Sequence, residues 1–94
     1  MNKMSTEVEL EEKVEVNSKF DSGKNLVIYN DDVNTFDHVI DSLVKVCKHE
    51  IIQAEQCTWI IHYNGKCAVK EGGMDSLLPM RRALSERGID AKIH

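Results

Sequence analysis

Within one short polar turn the chain passes from a four-residue apolar run to a helical stripe, and that junction constrains the fold more than any other feature. Leu26-Val27-Ile28-Tyr29 is rich in residues that fit a pleated, buried surface. Gly23 precedes the run and Asn30-Asp31-Asp32 follows it, so it reads as a buried strand entering a polar turn. Phe36, Val39, Ile40, Leu43, Val44 and Cys47 then fall at i, i+3, i+4, i+7, i+8 and i+11, one face of an amphipathic helix. Asp37, His38, Asp41, Ser42 and Lys45 take the other face. Asp32, Asn34 and Thr35 can each cap this helix by accepting hydrogen bonds from its free N–H groups, and spacing leaves the choice open.

A second helical pattern covers residues 51–63, with Ile51, Ala54, Cys57, Thr58, Ile61 and His62 in register and Asn64-Gly65 as its stop. Trp59 and Ile60 lie on adjoining faces, so this helix is expected between layers. Lys66-Cys67-Ala68-Val69-Lys70 reads as a short strand broken by Gly72-Gly73. A third helix is expected from Asp75 or Ser76, either of which can cap it, with Pro79 in its first turn and Leu77, Met80 and Leu84 facing inward. Arg87-Gly88 ends it, and Ile89-Asp90-Ala91-Lys92-Ile93 alternates like an edge strand. The order βααβαβ predicts an α+β domain: three short antiparallel strands with three helices packed on one face.

At 94 residues there is room for one domain. Residues 1–23 are rich in Glu and poor in large apolar side chains, the composition of a flexible acidic arm, and 24–94 form the core domain. The alternation of Val8, Leu10, Val14 and Val16 is a weak strand signal within the arm. A net charge of −4 opposes a nucleic-acid partner. No apolar run reaches the roughly 18 to 20 residues of a membrane helix, and the first residues lack a secretory leader's apolar stretch, so the expected location is the cytoplasm. Cys47, Cys57 and Cys67 show no CxxC spacing, which fits a reduced compartment and small buried thiols. A metal site on Cys47, His49, Cys57, Cys67 or His62 would lack the tight ligand pairs zinc favours, and none is expected. Nor does the chain carry a glycine-rich oxyanion loop for a Cys-His hydrolase. His38, His49 and His94 have no partner at useful spacing and are expected in solvent.

One constellation carries chemistry. Asn30-Asp31-Asp32 stands between strand and helix, and His62-Tyr63-Asn64-Gly65-Lys66 closes the second helix. Either segment alone reads as a turn, a cap or a surface histidine. Together with Val27-Ile28-Tyr29 before the turn and Gly88-Ile89-Asp90-Ala91-Lys92-Ile93 near the end, at these spacings, the chain resembles the ClpS family of adaptors over about residues 24–94.

The resemblance implies a non-enzymatic adaptor, without cofactor and acting as a monomer. It would bind protein N-termini whose first residue is large and apolar (N-degrons) and deliver them to a Clp AAA+ unfoldase of the ClpA or ClpC type. By that analogy Asn30, Asp31 and His62 hold the α-ammonium, while Asp32 and Asn34 order the loop. A free α-amino group is a cation with three donors, and an amide oxygen, a carboxylate and a neutral imidazole are fitting acceptors. The family's apolar pocket maps onto Phe36, Val39, Thr58, Ile61 and Ala91. Many members carry Met where this chain has Phe36 and Thr58, and Leu where it has Ala91, which leaves the preferred first residue open. For unfoldase docking the chain keeps Asp75 but has Met80 where Lys is usual. The alternative is a generic protein-interaction domain of ClpS-like or ribosomal-stalk-like fold with no N-degron site.

Overall fold

The computed structural model describes residues 23–94, so the arm expected over 1–23 lies outside the described residues except for Gly23. Six elements follow in the expected order: β1 (Lys24–Tyr29), α1 (Phe36–Cys47), α2 (Ile51–Asn64), β2 (Lys66–Gly72), α3 (Met74–Glu86) and β3 (Ala91–Ile93). β1 is the central strand and pairs antiparallel with both neighbours, giving the sheet order β2-β1-β3. Leu26 and Ile28 are fully buried while Val27 and Tyr29 are half-buried, the alternation of a sheet covered by helices on one face. Leu43 and Cys47 of α1, Ala54 and Ile61 of α2, and Leu77 and Leu84 of α3 complete the core over Leu26 and Ile28.

The β1–β2 ladder contains an irregularity that the sequence pattern does not show. Leu26 faces Lys70 and the next residue, Val27, faces Ala68, so Val69 is the extra residue of a bulge. His49 meets its carbonyl: Nε2–H of the buried imidazole donates to Val69 O at 2.6 Å. The other ring nitrogen, Nδ1, is buried and has no partner among the described residues. The expectation of solvated histidines is therefore corrected for His49, which is buried, whereas His38 is half-buried and His94 exposed. His49 seals the bulge, His38 donates from Nε2 to Arg87 O at 2.9 Å, and His94 shares a 2.6 Å hydrogen bond with the Tyr29 hydroxyl.

Three element boundaries also differ from expectation, the first being the end of β2, which runs past Lys70 to Gly72. α3 starts at Met74 with Gly73 as its cap residue and no side-chain cap, so Asp75 and Ser76 lie inside its first turn. Pro79 is consequently the sixth helical residue, past the first turn, and the Asp75 carbonyl loses its helical donor. At the other end Gly88 takes φ +81° and Ile89 N donates to Leu84 O at 3.0 Å, a six-residue closure of the helix. That closure occupies Ile89, and β3 starts only at Ala91.

Candidate functional site

Residues 30–35 join β1 to α1 and are anchored on both sides by glycine carbonyls. Asn30 N donates to Gly65 O at 2.8 Å, and Gly65 itself sits at φ +91° as the left-handed residue that ends α2. Across the loop, Asn34 Nδ2 donates to Gly88 O at 2.9 Å and to Asp31 Oδ2 at 2.7 Å. Asp31 Oδ1 accepts from the backbone N–H of both Val33 and Asn34 at 2.8 Å, an Asx-type turn. Thr35 then caps α1, its hydroxyl accepting from His38 N at 3.1 Å, which settles the choice among the three capping residues.

The anchored loop, the first turn of α1 and the last two turns of α2 enclose a cleft of about 350 Å³. Its mouth is polar, with Asn30, Asp31, Asp32 and Asn34 from the loop and His62 from α2. Phe36 and Val39 of α1 and Ile61 of α2 form its apolar part, which also holds Thr58 of α2, and Thr35 of the loop completes the lining. Positions 58, 61 and 62 share one face of α2 because they are three and four residues apart. Four of the five expected pocket residues therefore line this cleft. Ala91 does not: opposite Ile28 on β3 it is buried, and it borders a separate groove between α3 and β3. Asp75 is distant as well. It follows Gly72, which pairs with Lys24 at the start of β1, whereas the cleft lies beyond the end of that strand.

The Asp31 carboxyl is held below its usual pKa, first by the Asn34 backbone N–H and then by the Val33 N–H and the Asn34 amide, against the opposing effect of burial. It is therefore an anion at neutral pH. Its three bonds leave about one of its roughly four lone-pair directions for a ligand. Asp32 is exposed and has no hydrogen bond to a described residue. The loop-ordering role expected of Asp32 with Asn34 is thus filled by Asp31 with Asn34.

Aromatic rings fix the rim. Phe36 packs edge-on against Trp59, with centroids 4.6 Å apart, and against His62 at 5.3 Å. Tyr63 stacks on Trp59 at 5.2 Å and meets the edge of His62 at 5.0 Å. The His62 ring is oriented by these contacts, with no hydrogen bond to a described residue. Trp59 and Tyr63 were not among the expected site residues. Trp59 lies three positions before His62 and four before Tyr63 on one helix, and that spacing was the available signal.

Hydrogen-bond acceptors at the mouth of a half-enclosed cleft with an apolar floor have the build of a recognition site on a small α+β domain. The family described as ATP-dependent Clp protease adaptor protein ClpS matches residues 21–89, and the chain belongs to that family. It is a family of adaptors to the Clp protease, distinct from the protease itself. No curated protein matches the chain closely enough to count as a relative. Among the described residues, no helix is long and apolar enough to cross a membrane, and no three His, Cys, Asp or Glu side chains are grouped to hold a metal ion.

Proposed function

We propose that this adaptor binds the free N-terminus of a protein whose first residue is large and apolar, and delivers that protein to a Clp AAA+ unfoldase of the ClpA or ClpC type. It would act in the cytoplasm as a monomer and cleave no bond itself. The observation that carries the reading is the convergence, in one cleft, of an anionic mouth and an apolar floor. An α-ammonium at the mouth would donate to the Asn30 side-chain oxygen, to the free lone pair of Asp31 and to a ring nitrogen of His62, with Asp32 adding negative charge. Its first side chain would then lie on Val39, Ile61 and the Phe36 ring.

The magnitudes agree with a transient adaptor. Each hydrogen bond to a charged group contributes about 1.5–3 kcal/mol. Burial of a Leu- or Phe-sized side chain contributes about 1.5–3 kcal/mol more. Against several kcal/mol of association and ordering cost, the expected dissociation constant is on the order of micromolar. Fluorescence anisotropy with short peptides starting with Phe, Leu, Trp, Tyr or Ala, each as free amine and N-acetyl form, tests this. Binding that needs both the free amine and a large first side chain supports the reading. Binding indifferent to acetylation points instead to a generic interaction domain.

A further inference from the structure

Thr58 is the polar residue in the otherwise apolar part of the cleft, and its hydrogen-bond capacity is lopsided. It is 3% exposed, and its hydroxyl hydrogen is spent within α2, donated to Ala54 O at 2.7 Å. A hydroxyl has one hydrogen and two lone pairs, so toward the cleft Thr58 can only accept. No described residue donates to it. Phe36, pinned edge-on by Trp59, stands across the same cleft as a flat apolar wall. Taking the N-terminal reading above as its basis, we propose that Thr58 is a specificity-determining residue that accepts a hydrogen bond from a donor on the aromatic first side chain, favouring tyrosine over phenylalanine.

The physical reason is a difference in what each ring leaves unpaired. Phenylalanine would bury the Thr58 lone pairs against carbon, whereas the tyrosine hydroxyl exchanges its water for them. Where the acceptor is absent, the same hydroxyl is buried without a partner and phenylalanine becomes the better ligand. A neutral hydrogen bond of ordinary net strength corresponds to a preference of about fivefold.

The test compares two free-amine peptides differing only in Tyr or Phe at position one, titrated by anisotropy against the full chain and its Thr58→Val and Thr58→Ser variants, with thermal melts to confirm folding. The expected result is a tyrosine preference of about fivefold in the native protein, reversed in Thr58→Val and restored in Thr58→Ser. Equal affinities in the native protein, or a tyrosine preference that survives in Thr58→Val, would overturn the proposal. Should neither peptide bind, nor their leucine counterpart, the N-terminal reading itself fails and the proposal falls with it.

Discussion

Asp31 combines an observed part in the fold with the binding role proposed for it. Its carboxylate closes the loop through three hydrogen bonds, so replacing it disturbs the cleft's shape as well as its charge. His62→Ala and Asp32→Asn test the proposed ammonium contacts more cleanly, because neither side chain hydrogen-bonds a described residue. Since the folded state lowers the Asp31 pKa below its ordinary 3.8, the carboxylate's contribution to stability is complete above that value and fades as pH falls through the folded-state pKa. The expected outcome is that Asp31→Asn flattens the acid limb of the stability curve below about pH 4 in urea melts, while stability near pH 7 falls by about 1 kcal/mol. His49 is the second residue whose role is decided by one atom. Removing it in His49→Ala leaves the Val69 carbonyl buried without a donor, beside a new cavity. A loss of about 2–4 kcal/mol in chemical denaturation is expected, far above the effect of a surface histidine.

At the scale of elements, the end of α2 positions the site. Gly65 adopts φ +91°, its N–H bonds back to Ile61 O, and its carbonyl receives Asn30 N, so one residue ends the helix and fixes the loop opposite His62. A Cβ there would meet nothing within 4 Å, which makes the cost of substitution conformational rather than steric. Gly65→Ala is expected to destabilise the fold by about 1–2 kcal/mol. Because the strain falls on the anchor of Asn30, peptide affinity should drop as well. Thermal melts and anisotropy on the same variant check both, and an unchanged affinity would show that the loop holds its shape without this anchor. The Gly88 closure of α3 is the matching anchor on the other side, tied to Asn34.

For the molecule as a whole, binding and stability are linked. The cleft is built from the β1–α1 loop, α1 and α2 together, so a ligand that fills it binds the folded chain and not the unfolded one. At one hundred times its dissociation constant, a peptide with a free apolar N-terminus should add about 2.7 kcal/mol of stability. For a domain of this size that raises the melting temperature by roughly 10–20 °C. The N-acetyl form of the same peptide should raise it by far less. Equal shifts with both forms would remove the ammonium from the account.

How much of this was legible beforehand follows from the range over which each signal acts. Periodicity reports which way a residue faces on its own element, and on that basis the apolar stripe from Phe36 to Cys47 and the run from Leu26 to Tyr29 are legible; Ser42, expected on the polar face of α1, is instead fully buried, its hydroxyl donating to His38 O. The turn residues of the cleft were legible from turn chemistry and the family resemblance, but α2 does not lie between layers as expected: it buries one face, with Ala54, Thr58 and Ile61, and leaves Ile51, Trp59 and Ile60 exposed. The tertiary structure alone decided which partner each polar group meets. Asn34 reaches Gly88 across 54 positions and His49 reaches Val69 across 20, and neither separation leaves a local trace. Likewise Ala91 faces the core opposite Ile28 rather than the cleft, because strand register is set by pairing across the sheet. Local pattern determined the elements and the composition of the site; long-range packing decided which carboxylate binds the loop and which histidines are buried, because a buried polar group must find its partner wherever the fold brings one.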